Sequence, residues 1–289
     1  MTDWGYRAAA FLARRLPRRM GARIAEGFAD LYVATHPSTA KSVARALGRL
    51  QETPNGGAPV AYVRSTYRDF ARSLLDFLRE ARDAAAARVV LDGDTRRILD
   101  RMRDTRGEGP RPPRPTLVLS GHFGPWESAL RWLASEVGPI DALAAPHRSR
   151  AVERFFAVRR RTGGVRTLSG GGSAARALRH LRAGGWIAAL IDRGCHPRRH
   201  VGGLGGLVPI DRAPLLLARR TGADVLAGVS WRDDEGSLHV RFLEPFAVGP
   251  RRHGLSLDQA ASRLQRFFDQ HVRAHPVQWY AWGPGGTRA

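Results

Sequence analysis

A chain of 289 residues, 43% of them hydrophobic, is long enough for one large α/β domain or two smaller ones with a sizeable core. Its net charge of +21 is carried by arginine apart from Lys41, and a field of that sign favours anionic partners: nucleic acid, anionic lipid head groups or an acidic carrier protein. The only cysteine, Cys195, excludes an internal disulfide and fits a reducing compartment, and no apolar run reaches the ~20 residues that span a bilayer.

Residues 4–36 read as basic helix. Trp4, Phe11, Leu12 and Leu16 fall near one face, with Arg7, Arg14, Arg15, Arg18 and Arg19 around the others, and Pro17 breaks or restarts the helix. Ile24, Phe28, Leu31 and Tyr32 extend the apolar stripe. The pattern suits a helix lying in a membrane interface and equally a packed helix with a solvated basic face. Helices are also expected over 38–50 and 59–86, separated by a loop at Pro54-Asn55-Gly56-Gly57. In the second of these, Tyr62, Tyr67, Phe70, Leu74, Leu75 and Phe77 form a broad apolar surface. Residues 1–87 are therefore a helical N-terminal region, which leaves 88–289 for an α/β core.

Val89–Leu91 is a short strand, Asp94–Met102 a short helix, and the Pro/Gly/Arg-rich 107–115 a surface loop. Strands follow at 116–120, 140–144, 165–168, 186–191, 224–230 and 238–243, with helices at about 126–137, 150–162, 173–183, 212–221 and 256–274. This alternation argues for a mainly parallel sheet flanked by helices. No leader with a long apolar core is visible, so a soluble or peripheral protein is expected.

The strand Thr116–Ser120 runs into Gly121-His122-Phe123-Gly124-Pro125-Trp126-Glu127, and an amphipathic helix follows. His122 thus lies just beyond a strand end and Glu127 in the first turn of a helix, whose partial positive charge favours an ionised carboxylate. Pro125 suits the start of that helix. A carboxylate so near can fix the tautomer of His122 and make it a general base. Trp186–Ile191 repeats the plan, a strand followed at once by Asp192 and Arg193. Carboxyl ends of parallel strands share one edge, so Asp192 and Arg193 should open onto the same side as His122 and Glu127.

Other motifs carry less. Ser169-Gly170-Gly171-Gly172-Ser173 is a flexible turn before a helix, without a dinucleotide or P-loop pattern. Cys195, His196 and His200 fall short of a closed zinc site. No Gly-x-Ser-x-Gly is present for a serine nucleophile. No bound cofactor or metal is expected.

Gly-His-Phe-Gly-x-Trp-Glu resembles the His-x4-Glu motif of the lipid A biosynthesis (lauroyl/myristoyl) acyltransferases, whose relatives include bacterial phosphatidylinositol mannoside acyltransferases. Many members carry Asn where this chain has Pro125. The resemblance extends to Pro276-Val277-Gln278-Trp279-Tyr280-Ala281-Trp282 and, more loosely, to residues 201–223, where a Phe-Phe pair and one glycine of the family are missing. It implies a glycerolipid acyltransferase-like fold and acyl transfer from coenzyme A or acyl carrier protein to a hydroxyl of a glycolipid or lysolipid. It also implies a peripheral place on the cytoplasmic face of the inner membrane. By residue, it implies His122 as base oriented by Glu127, with Arg159, Asp192, Arg193 and, less directly, Glu153 toward substrate. Two alternatives stand beside it: a basic nucleic-acid-binding protein, against which the sequence lacks any recognised nucleic-acid motif, and a catalytically divergent member of the same fold.

Overall fold

The structure is a computed structural model that describes residues 3–50, 58–79, 88–104, 114–192, 207–249 and 254–280. Outside the described residues lie the expected loop at 54–57, most of that at 107–115, residues 80–86 of the expected second helix, Arg193, Cys195, His196, His200, Gly202–Gly206, Ala281 and Trp282.

Pro17 divides the first helical stretch as its missing N–H requires, into α1 (Asp3–Arg15) and α2 (Arg18–Thr35). The helices α3 (Pro37–Leu50) and α4 (Val60–Leu78) follow. Small residues on one stripe of α2, Gly21, Ala29 and Val33, are buried and let it lie close to α4. Ion pairs Arg68–Asp30 at 2.5 Å and Arg72–Glu26 at 2.6 Å join the two helices. Exposed pairs of this kind contribute little stability each. The outward faces of α1 and α2 expose Trp4, Phe11, Leu12, Met20, Ile24, Phe28 and Leu31, with Phe28 at 69%. The helices pack, as one reading of this region has it, and they keep a large apolar surface in solvent.

The remaining helices are α5 (Gly93–Asp104), α6 (Trp126–Val137), α7 (Arg150–Thr162), α8 (Ser173–Arg182), α9 (Arg212–Thr221) and α10 (Leu257–Ala274). They flank an eight-stranded sheet of β1 (Val89–Leu91), β2 (Thr116–Ser120), β3 (Ile140–Leu143), β4 (Val165–Leu168), β5 (Trp186–Leu190), β6 (Asp224–Arg232), β7 (Leu238–Phe242) and β8 (Phe246–Ala247). The order is β1-β7-β6-β2-β5-β3-β4, with β8 also on β6. Pairing is parallel except for β6 with β7 and with β8. The mixed α/β architecture with a mainly parallel sheet is the one the alternation predicts. The strands β6 and β7 were expected from the sequence, but their antiparallel pairing and the two-residue β8 were not, because a short antiparallel addition needs only a tight turn. Between β6 and β7 that turn is held by Gly236 at φ +88, whose N–H donates to Asp233 O.

The central strands read as continuous apolar runs, Thr-Leu-Val-Leu in β2 and Trp-Ile-Ala-Ala in β5, because both faces of a parallel sheet are covered. One core cluster contains Val33, Val43, Leu47 and Val63 of the N-terminal helices together with Leu117, Ile187, Val225 and Phe268. The helical region and the sheet therefore share a hydrophobic interior.

Candidate active site

Register builds the site. Ser120 of β2 pairs with Leu190 of β5, and Ile191 N–H donates to Ser120 O at 2.9 Å. His122 and Asp192, each two residues further on, therefore emerge side by side at the carboxyl edge of the sheet. Asp192 Oδ1 accepts from the imidazole Nδ1 of His122 at 2.8 Å. Its Oδ2 accepts from the backbone N–H of His122 at 2.8 Å and from Trp279 Nε1 at 3.0 Å. With Nδ1 donating to a carboxylate, the neutral ring presents its lone pair at Nε2. Burial alone would raise the Asp192 carboxyl, but the His122 imidazole and the donated hydrogen bonds outweigh it and hold the group below its ordinary range.

The residues around His122 explain its setting. A Cβ on Gly121 would stand 2.5 Å from the Phe123 ring and 3.0 Å from Asp192 Cγ, so only glycine lets the Asp192 carboxylate approach. Gly124 has φ +50, and a Cβ there would meet Ser230 O at 2.6 Å and Trp231 Cα at 2.9 Å. We expect Gly124→Ala to cost about 1–3 kcal/mol from left-handed strain with crowding against backbone, read as a lower midpoint in thermal or urea unfolding. Phe123 is fully buried against Phe268 and His271. Trp126 sits edge-on to His122 at 5.3 Å and also contacts Phe70 and Tyr280.

Glu127 is in the first turn of α6, as its position predicts, but its carboxylate goes elsewhere. It forms a forked pair with Arg160 of α7, Nη2 to Oε1 at 2.5 Å and Nε to both oxygens at 3.1 Å. The carboxylate on His122 Nδ1 is that of Asp192, and this corrects the expectation that Glu127 orients the imidazole. Both partners of the Glu127–Arg160 pair are nearly buried. Burial lowers the Arg160 pKa, and Glu127 more than reverses that, for a net shift upward.

Arg159 is not in this group. It shares the packed face of α7 with Val152 and Phe156, donates Nη1 to Leu78 O at 2.6 Å and lies 4.9 Å from the centre of the Phe155 ring. A cation on the last carbonyls of a helix is favoured by the helix dipole, and Arg159 uses that to tie α4 to α7. One step along α7 turns the side chain by about 100°, so Arg160 reaches Glu127 where Arg159 cannot. Glu153 accepts from both the backbone N–H of His147 at 2.9 Å and its Nδ1 at 2.7 Å. It therefore holds a second imidazole near the ends of β3 and β4. Burial raises its carboxyl, but the His147 and Ser169 contacts bring the net direction below ordinary. Among the described residues no group of three or more His, Cys, Asp or Glu could hold a metal ion.

The profile of the bacterial lipid A biosynthesis acyltransferases matches residues 1–282. The chain belongs to that family. The match runs through the N-terminal helices as well as the sheet. No curated protein matches the chain. Membership supports acyltransferase activity of the lipid A type, and it gives the His122 edge a chemical context. In this acyltransferase Trp279, which donates to Asp192, Arg160, which pairs with Glu127, and His147, which Glu153 holds, are residues that the sequence reading left without a role. The only sequence signal was for Trp279, which stands in the closing Pro-x-Gln-Trp motif. No helix among the described residues is long and apolar enough to cross a membrane.

Proposed function

We propose that the protein moves a fatty acyl group from an acyl thioester, of coenzyme A or acyl carrier protein, to a hydroxyl of a glycolipid or lysolipid at an anionic membrane surface. The observation that carries this reading is the His122–Asp192 pair at the carboxyl edge of the sheet, in a chain of an acyltransferase family. His122 Nε2 takes the proton of the acceptor hydroxyl while Asp192 stabilises the imidazolium. The oxygen attacks the thioester carbonyl, the C–S bond breaks, and the thiolate leaves with the proton returned by His122. No covalent acyl-enzyme is required. Glu127 and Arg160 act as a pair that fixes α6 and α7 beside the imidazole. Purified protein incubated with acyl-coenzyme A or acyl carrier protein and a panel of lysolipids and glycolipids should yield one acylated product by mass spectrometry. Free thiol without an acylated lipid, for every acceptor and both donors, would refute the transfer.

The membrane part of this reading rests on the outward faces of α1 and α2. Trp4, Phe11, Phe28 and Leu31 are exposed there among the exposed Arg7, Arg14, Arg15, Arg18, Arg19 and Arg23. Apolar side chains can enter the acyl boundary while each arginine gains roughly 1 kcal/mol near anionic head groups. The double substitution Phe28→Glu with Leu31→Glu is expected to reduce partitioning onto anionic vesicles by about 10-fold or more. Sedimentation at fixed salt would measure this, with DNA as the competing ligand. DNA binding that exceeds vesicle binding would favour a nucleic-acid partner instead.

A further inference from the structure

The mechanism above gives Trp279 nothing to do, although its indole is buried and donates to the carboxylate behind the reacting imidazole. The two oxygens of Asp192 are unequally served. Among the described residues, Oδ1 meets only His122 Nδ1, whereas Oδ2 receives two donors from different directions, His122 N–H and Trp279 Nε1. A single donor on Oδ2 would let the carboxylate plane turn about it. Two donors fix the plane, and with it the direction in which Oδ1 faces the ring.

Trp279 is itself held to the loop it serves. It follows the 3₁₀ turn Pro276–Gln278 and forms an antiparallel bridge with Phe123. Gly124 N–H donates to Gln278 O at 2.7 Å, and Tyr280 N–H donates to His122 O at 2.9 Å. The Gln278 amide is bonded twice to the backbone of Arg232, at 2.9 and 2.8 Å. Below, Tyr280 OH donates to the buried Asp69 of α4. The indole N–H and the backbone of His122 therefore belong to one rigid frame.

We propose that Trp279 is a positioning residue: its indole N–H sets the plane of the Asp192 carboxylate and thereby aims His122. The kinetic half of this inference rests on the acyl-transfer reading. The geometric half does not.

The test replaces Trp279 in the full chain by 3-(3-benzothienyl)alanine, which keeps the two-ring shape and puts sulfur in place of N–H. Trp279→Phe serves as the genetically encoded counterpart. Losing one hydrogen bond to a charged acceptor should lower kcat for acyl transfer by about 10-fold, with KM for the thioester unchanged. In an Asp192→Asn background the same exchange should have less than about 2-fold further effect, because the group it acts through is gone. A folded isostere variant with wild-type kcat, or an equal loss in both backgrounds, overturns the proposal. An activity-free measurement accompanies these. The far-downfield proton resonance of His122 Nδ1–H, assigned by its loss in His122→Ala, should shift or broaden in the isostere variant. A resonance that stays in place overturns the proposal even if no transfer is detected. A resonance that moves in a protein without transfer activity supports it and sinks the acyltransferase reading alone.

Discussion

His122→Ala is expected to lower kcat for acyl transfer by about 10²–10⁴-fold, the usual contribution of a general base, in a protein that remains folded. The backbone of residue 122 keeps its structural bonds in the variant, N–H to Asp192 Oδ2 and C=O from Tyr280 N–H. Among the described residues, only the ring contacts are lost, the edge of Trp126 and the bond to Asp192 Oδ1. The carboxylate retains two of its three donors, so the stability loss should be about 1–3 kcal/mol. Turnover by product mass and unfolding by circular dichroism separate the two effects. Transfer at the wild-type rate in the folded variant would remove His122 from the chemistry. A variant that melts far below wild type would show that the imidazole is structural.

Acid stability should depend strongly on His271. This residue of α10 is buried, lies edge-on to Phe123 at 5.2 Å and packs near Trp231 and His275. Burial chiefly, with the positive charges of His275 and Arg241, pushes its pKa from 6.5 down to about 3, against a raising bond with the Ser230 backbone. The sign follows from which state holds the proton. Between those values the unfolded chain binds a proton at this position and the folded chain does not, so stability falls as pH falls from about 6.5 toward about 3. At 1.36 kcal/mol per pH unit, the loss between pH 6.5 and pH 4 is about 3 kcal/mol from this group. His271→Phe should lower stability near pH 7 by a modest constant amount and flatten the acid slope by about that figure. Urea unfolding of both proteins at pH 7 and pH 4 gives the comparison. Parallel slopes would show that His271 is not the group responsible.

Local patterns in the sequence carried much of the fold. The strand at 116–120, the turn through His122 and the helix from Trp126 follow from an apolar run, two glycines and a proline, all within a dozen residues. Both strands of the site were readable as continuous apolar runs, and the edge rule placed Asp192 with His122. The partner of the imidazole was not readable. Glu127 is five residues away in sequence and has the favourable helix start, yet the carboxylate that reaches Nδ1 comes from position 192. The pairing of β2 with β5 made that choice, and no local propensity encodes which strands become neighbours. The difference between Arg159 and Arg160 is similar in kind. Both belong to one arginine run, and only the face of α7 that packs under α4 decides that Arg159 is consumed on Leu78 O while Arg160 is left for Glu127.

The sequence by itself determined the alternation of strand and helix, the basic and apolar stripes of α1 and α2, and a histidine stationed at the end of a buried strand. These are properties of periodicity and of single turns, where the interacting residues are close along the chain. Tertiary structure alone decided which acid meets that histidine, which arginine balances Glu127, and that an indole from the far end of the chain closes on the Asp192 carboxylate. Those contacts join residues 33 to 87 positions apart. They arise only when sheet register and helix packing bring the segments together.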